Sequence, residues 1–525
     1  MDELKGFVIG SSEEAIADVK LTSGLVFTDS PWFDTPDIRE GLDLYIGRPI
    51  DAEMLKSIPM ALRVYLAHLG YPFSVVYLPE QDITDGVLRV VVLRSKVASE
   101  LRIEGAEYFS EKQYRSALQI EPGKPLNELE LQADVERLNR NPFRSTVIEA
   151  EAGEEPGTTQ LVLRVRETRP FRAFAGYNNT GTNTTTEDRM FAGFNWGNAF
   201  GLGHLMTMQV TTDFDVKYSK AASGNYTMEL PNNHTLTLFG AYSEILGVPN
   251  GGLNQEGTSW QSGVNYTIPL LSEKKSYSHN LELGFDYKSS DNNLELNLPP
   301  FIIPISDNLT RVAQFRGKYE GTLADAYGYT QFGVKLTYAP GNIGSYNDDA
   351  SFSGSRALAT ADYLYGNLTV FRDTKFSSGP LEGFNWTVRG ECQLSDTNLL
   401  SSEQFSAGGS GRVRGYEEGE VIGDNAIFIS QELLLPTLTP IIDLYFTKQK
   451  GSLRPFLFHD YARTWNRDKL PGEKPFNLMS VGAGFRYQIG GNLNLKVAHG
   501  WQLRDSGSST TGDNHRTHVS FQLSY

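Results

Sequence analysis

From residue 169 to residue 525 the chain is written in a two-residue period, and that period decides what it can become. Leu281, Leu283, Phe285 and Tyr287 share one parity, and Asn280, Glu282, Gly284 and Asp286 share the other. Phe332, Val334, Leu336 and Tyr338 alternate with Gln331, Gly333, Lys335 and Thr337 in the same way. Val481, Ala483, Phe485, Tyr487 and Ile489 alternate with Ser480, Gly482, Gly484, Arg486 and Gln488, and Val519, Phe521, Leu523 and Tyr525 carry the pattern to the last residue. Successive side chains of a strand point to opposite faces, so each segment has one apolar and one polar face. A soluble sandwich would turn the apolar face inward. Here aromatics sit near segment ends and the other row carries charge and Gly in place of packing residues. That combination predicts an apolar surface in lipid around a wet interior. No apolar run reaches the roughly 20 residues of a membrane-spanning helix, so the expected membrane element is the strand.

About sixteen such segments can be counted, near 171–180, 189–198, 204–213, 217–229, 234–243, 257–268, 275–288, 308–321, 326–338, 358–371, 381–392, 425–434, 453–461, 477–489, 492–503 and 515–525. An even count suits a closed antiparallel barrel. Short turns such as Leu230–Asn233 and Gly490-Gly491 alternate with long polar loops such as 288–307, 339–357 and 462–476. Residues 435–452 break that rule, being long where a short turn is expected. The longest loop, about 393–424, holds Gly408-Gly409-Ser410-Gly411-Arg412-Val413-Arg414-Gly415-Tyr416.

Before Pro170 the character differs. Residues 1–168 carry 18 basic and 29 acidic side chains, a net of −11, which leaves −5 for the rest of a chain whose total is −16. This is a solvated acidic region, and it argues against a nucleic-acid partner. It also contains a repeat. Gly47-Arg48-Pro49-Ile50 recurs as Gly123-Lys124-Pro125-Leu126, and each copy precedes a helix signal. Asp51 is the expected cap of the first helix, with Leu55, Ile58, Leu62, Leu66 and Leu69 as its apolar stripe. Pro59 is expected to kink or split it, and Gly70 to stop it. In the second copy Asn127 and Glu130 read as cap and N3 partner. Leu131, Val135 and Leu138 lie on one face, and Asn141-Pro142 ends the helix. Two strand signals follow each helix: Phe73–Leu78 and Val87–Leu93, then Thr146–Ala152 and Gln160–Arg166. Each copy thus reads as a small α+β domain whose sheet edge is either open to an added strand or covered by its neighbours.

Several functions are excluded. A single cysteine, Cys392, permits no intrachain disulfide and no Cys-based metal centre. There is no G-x-S-x-G, no H-E-x-x-H, no clustered Cys/His set and no phosphate-binding G-x-x-x-x-G-K-S/T, so no enzyme, cofactor or metal is expected. A passive porin would leave the paired N-terminal domains without a role. Met1-Asp2-Glu3 starts acidic with no apolar stretch after it, which is not a signal-peptide pattern.

Order and motifs together resemble a known family, the TpsB transporters of bacterial two-partner secretion (FhaC/ShlB-type haemolysin and haemagglutinin secretion proteins), in the superfamily that includes BamA. The resemblance covers about residues 24–525. Leu138-Asn139-Arg140-Asn141-Pro142-Phe143-Arg144, Pro156-Gly157-Thr158-Thr159 and Leu161-Val162-Leu163-Arg164-Val165 look like the family's second POTRA domain. Val413-Arg414-Gly415-Tyr416 matches its VRGY loop motif, and Phe458-His459-Asp460 its F-x-D strand motif. The resemblance implies a 16-stranded antiparallel transmembrane β-barrel over 169–525, preceded by two small α+β POTRA domains at 24–96 and 97–168. Residues 1–23 form an N-terminal segment free to contain the start of the first domain.

It further implies an outer-membrane pore, monomeric, with its POTRA domains in the periplasm. They would capture a secreted TpsA-type partner in unfolded form and pass it to the cell surface. The other partners implied are outer-membrane lipids and, during biogenesis, the barrel-assembly machinery. That machinery would read Val519, Phe521, Leu523 and Tyr525 as its signal. The alternative is a barrel-assembly factor of BamA type, which usually has more POTRA domains. Without the family, the loop chemistry is still legible. Arg414 offers a planar fork that matches a carboxylate, and Gly415 allows a close backbone approach. Asp460, sharing parity with Phe458, should face the interior, so Arg414 and Asp460 are expected to pair and hold the loop there.

Overall fold

A computed structural model of the chain describes residues 3–118, 120–155, 157–230, 233–248, 253–270, 272, 274, 276–298, 301–438, 451–507 and 514–525. In the first α+β domain four strands form one sheet, in the order Gly24–Phe27, Gly6–Gly10, Val87–Leu93, Val75–Tyr77. Gly6–Gly10 runs parallel to both neighbours and is buried along its whole length. The Asp51 carboxylate accepts the Met54 N–H at 2.7 Å and starts the helix Ala52–His68. Met54, Ile58, Leu62 and Leu66 bury one face of that helix against Phe7, Ile9, Leu88 and Val90. Gly70 ends it at φ +88°, a conformation only glycine adopts without cost. The expected split at Pro59 does not occur, and Ala52–His68 is one 17-residue helix. An interior proline costs ~3 kcal/mol. Four large buried side chains at about 1.5–3 kcal/mol each outweigh it.

The second domain repeats the plan around the central strand Thr158–Glu167. Arg144–Ala152 lies antiparallel on one side, and Lys96–Val97 and Arg102–Glu104 lie parallel on the other. Its helix Glu128–Leu138 begins directly after Asn127, whose carbonyl accepts the Leu131 N–H at 3.1 Å. Leu131 and Leu138 are buried, as the stripe requires.

The sequence repeat is a backbone turn. Gly47 and Gly123 sit at φ +82° and +80°. Gly47 N–H donates to the Leu4 carbonyl at 2.8 Å, and Gly123 N–H to the Val97 carbonyl at 2.9 Å. In return Leu4 N–H donates to Arg48 and Val97 N–H to Lys124, both at 2.9 Å. Leu4 therefore does in the first domain what Val97 does in the second, and residues 4–10 lead into its first strand. The helix Glu13–Ala17 and the strand Gly24–Phe27 have no counterpart among the described residues of the second domain. Ile16 of that helix covers the sheet's other face with Val8, Val87 and Val91.

Residues 171–525 form a closed barrel of sixteen strands in sequence order, from Phe171–Asn178 to His515–Ser524, every pair antiparallel. The last strand closes on the first from Ser520↔Asn178 to Ser524↔Phe174. All sixteen expected segments are strands. Leu283, Val334, Leu336, Tyr338, Val481 and Leu523 are exposed on the outer surface, while Asp286, Gln314, Asp460 and Ser480 are buried inside.

One loop expectation is overturned. Residues 288–298 and 301–307 continue the strands Tyr277–Leu298 and Phe301–Asp325, which pair from Tyr277↔Leu323 to Leu298↔Phe301. A bulge between Leu294 and Glu295 shifts the register where Pro304 enters. An extra residue there accommodates a proline that has no N–H to donate. Loop 339–357 contains the short helix Asp349–Ser355, and Gly490-Gly491 joins its strands in a tight turn as expected. The inner part of the Leu230–Asn233 turn and residues 439–450 of the 435–452 connection lie outside the described residues.

Candidate functional site

The long loop leaves the strand Asn385–Ser395 and returns at Asn425. Within it Phe405–Ala407 pairs with Val421–Gly423 as a hairpin. Val413 and Tyr416 are fully buried, in one cluster with Phe405 and Val421 of the hairpin and Phe428, Ala462 and Leu478 of the inward-facing wall. The loop therefore lies against the barrel's interior.

Arg414 meets Asp460 there through three donors. Its Nε donates to Asp460 Oδ2 at 2.7 Å, its Nη2 to Oδ1 at 2.7 Å, and its backbone N–H to Oδ2 at 3.0 Å. Its Nη1 reaches Glu432 Oε1 at 2.5 Å, and Arg486 holds the other oxygen of Glu432. Ser430 Oγ donates to Asp460 Oδ1 at 2.7 Å. The guanidinium lies 3.6 Å from the Phe458 ring centroid, a cation–π stack that gives the F-x-D phenylalanine a direct part. The Arg414 and Asp460 side chains are 3% and 0% exposed, so the pair is dry.

Gly415, at φ +92°, passes the wall at Gly500. Its N–H donates to His518 Nε2 at 3.1 Å, and its carbonyl accepts from Gln502 at 2.7 Å. The Tyr416 hydroxyl donates to the Arg504 carbonyl at 2.6 Å and accepts the Met479 N–H at 3.1 Å. At the C-terminus, Phe521 and Leu523 lie in the closing register opposite Tyr177 and Ala175. Val519 N–H bonds the Asn179 side chain, and Tyr525 exchanges backbone bonds with Ala173 at 2.9 and 3.0 Å.

Two further anchors were not read from the sequence. Asp424, fully buried, accepts from Arg356 Nη1 at 2.7 Å and Nη2 at 3.1 Å, from Leu399 N–H at 2.9 Å and from Arg467 N–H at 3.0 Å. Three loops are thereby clasped to one carboxylate. Glu403, dipping to the wall, accepts from Lys288 Nζ at 2.7 Å and from Tyr365 Oη at 3.0 Å. Glu432 could have been found, since it shares the inward parity of Ser430.

A closed sixteen-stranded barrel with an arginine-anchored interior loop, preceded by two α+β domains of one plan, defines a POTRA-bearing outer-membrane barrel. Residues 22–95 match the ShlB-type POTRA domain, and residues 97–168 match a second POTRA family described as a surface antigen variable number repeat. Residues 157–487 match the haemolysin secretion/activation protein family ShlB/FhaC/HecB, and the chain belongs to that family. It is an outer-membrane protein with periplasmic POTRA domains. The outer membrane transporter CdiB of Escherichia coli is 24% identical over 407 residues, covering 74% of this chain and 64% of that protein. The match thus spans under two thirds of that relative's length. The solved structure of Escherichia coli CdiB superposes with a TM-score of 0.80 at 17% identity, covering 100% of this chain and 90% of that one. The solved structure of BamA from Haemophilus ducreyi lacking POTRA domains 1–3 gives a TM-score of 0.54 at 15% identity, covering 100% of both chains. These likenesses establish the fold.

Proposed function

We propose that this chain is the translocation pore for one secreted partner protein, recognised in unfolded form by the POTRA domains and passed through the barrel to the cell surface. The observation that carries this reading is the dry Arg414–Asp460 pair, which lodges a long loop inside a closed barrel. A passive channel has no use for a loop obstruction anchored by discrete ion pairs, whereas a pore that opens for a client does. The POTRA domains supply capture. Arg144–Ala152 is an edge strand with Val147 exposed, and main-chain pairing to such an edge ignores client side chains. With no nucleotide-binding motif in the sequence, folding of the client outside supplies the free-energy sink.

The test is deletion of the gene in the bacterium that encodes it, followed by mass spectrometry of culture medium and outer membrane. Loss of one large extracellular protein with outer-membrane barrels unchanged is the expected result. A general fall in outer-membrane barrels would instead establish the assembly-factor alternative.

A further inference from the structure

The barrel interior has two unlike sides. The loop's polar partners, among the described residues, all lie on the strands from Tyr277 onward or on other loops, as at Lys288, Tyr365, Glu391, Asp460 and His518. None lies on the four strands His204–Thr212, Ser219–Glu229, Thr235–Leu246 and Leu253–Leu270. The inward row of those four strands is built mainly from Thr, Ser, Ala, Asn, Gln and Gly, with Leu205, Phe239 and Ile245 as its large apolar members and Pro269 near one end. Its described members carry one charge, Glu229, at the rim where the chain enters the barrel. The guanidinium that reaches this wall, Arg316, stacks over Phe239 at 5.6 Å and is neutralised by Asp286 at 2.5 Å. Between the loop and this wall lies a cavity of about 340 Å³, lined by Ser402 of the loop, by Ser223, Ala241, Ser243, Ser259 and Gln261 of the wall, and opposite them by Lys288, whose charge Glu403 of the loop neutralises at 2.7 Å.

We infer that the client threads through this cavity as an extended chain, along the neutral wall and past the seated side of the loop. The inference rests on the pore reading and gives it a route and a client chemistry. An unfolded chain exposes an N–H and a C=O at every residue, and each costs free energy if desolvated without a partner. Hydroxyls and side-chain amides both donate and accept, so they can satisfy a moving backbone at any register. A wall of fixed charges would trap client charges, and conduction needs binding weak enough to release. The small side chains leave room for a chain but not for bulk. The route therefore selects stretches of small, uncharged residues such as Gly, Ser, Thr and Asn.

The test uses the full-length protein in planar bilayers, in a Cys392→Ser background. Ser259→Cys and Ser243→Cys are modified with a charged methanethiosulfonate, and Asn367→Cys on the loop-bearing side serves as the comparison. Modification at either neutral-wall position should lower conductance by about twofold or more, and at Asn367→Cys by much less. A Gly-Ser repeat peptide of roughly 20 residues should block the unmodified pore, and oligoglutamate or oligolysine of equal length should not. Equal losses on both sides, or none at Ser259→Cys and Ser243→Cys with modification verified by mass, would overturn the route. Equal block by the charged peptides would overturn the selectivity. Both outcomes leave the secretion phenotype of the gene deletion intact, so the route can fail while the pore function stands.

Discussion

Gly415 of the loop and Gly500 of the wall meet backbone to backbone. A Cβ on Gly500 would fall 2.6 Å from the Gly415 nitrogen, and one on Gly415 would fall 2.9 Å from the Gly500 carbonyl carbon. The VRGY glycine is thus set by a partner glycine 85 residues later as well as by its own positive φ. Gly500→Ala should unseat the loop while the barrel still closes, because overpacking of this kind costs about 1–3 kcal/mol. Trypsin cleavage at Arg412 and Arg414 in intact outer membranes reports it, and a loop as resistant as wild type would refute the contact's role.

The Arg414–Asp460 pair is drier than a water-filled lumen would allow. Removing one partner of a buried pair costs about 3–5 kcal/mol. Asp460→Ala and Arg414→Ala should each reduce export of the partner and raise pore conductance, with heat-modifiable barrel still present. Arg414→Ala should be the worse of the two, since it also strips a contact from Glu432. Arg414→Lys should be tolerated only in part, because a lysine cannot span both Asp460 oxygens. The double mutant should be little worse than Arg414→Ala alone. Losses that simply add would separate the two residues.

Much of the barrel was legible because lipid imposes a single demand, an apolar outer row, which leaves a clean parity on every strand. The reading failed where lipid ends. Asp291-Asn292-Asn293 look like loop, yet the hairpin continues beyond the apolar band, where water tolerates both parities. Gly6–Gly10 was missed for the opposite reason. It is buried on both faces, so GFVIG shows no alternation to find. The loop anchor was readable through its motifs and the parity of Asp460. The Arg356–Asp424 clasp was not, since it joins loop residues 68 positions apart and no periodicity connects loops.

That clasp gives a separate expectation. Asp424 is fully buried and satisfied by donors from three loops, and Asp424→Ala would leave Arg356 partly buried without its carboxylate. Arg356→Ala should cost less than Asp424→Ala, because the remaining N–H donors still serve the carboxylate. Both should increase protease access to loops 341–361 and 466–475 from the cell surface and leave Arg414 seated. Release of the Arg414 segment by Asp424→Ala would show instead that the loop has one cooperative anchor.

Deleting residues 521–525 removes four of the five strand pairs that close the barrel on Phe171–Asn178, together with the Tyr525–Ala173 exchange. The remaining Ser520↔Asn178 pair cannot cover the two exposed strand edges. The shortened chain should be absent from the outer membrane and degraded in the periplasm. Normal amounts of heat-modifiable barrel after that deletion would refute both the closing role and the assembly-signal role of Phe521, Leu523 and Tyr525.

The last expectation concerns the second POTRA domain, where the Glu167 carboxylate accepts the N–H groups of Glu107 and Phe109 at 2.9 and 3.2 Å and the Tyr114 hydroxyl at 2.5 Å. Burial, reinforced by this carboxylate, holds the Tyr114 phenol well above its ordinary value. A raised folded-state pKa means that the neutral phenol is the form the fold favours. Its contribution is complete below the unfolded pKa of about 10 and is lost as pH rises above it. A fragment of residues 1–168 should therefore lose denaturant stability between about pH 10 and 11.5, and Tyr114→Phe should flatten that loss. At pH 7 the same variant should be weaker by about 1.5–3 kcal/mol, the worth of a hydrogen bond to a charged group. Urea titrations at the two pH values separate these effects. An alkaline slope unchanged in Tyr114→Phe would mean that another group carries the titration.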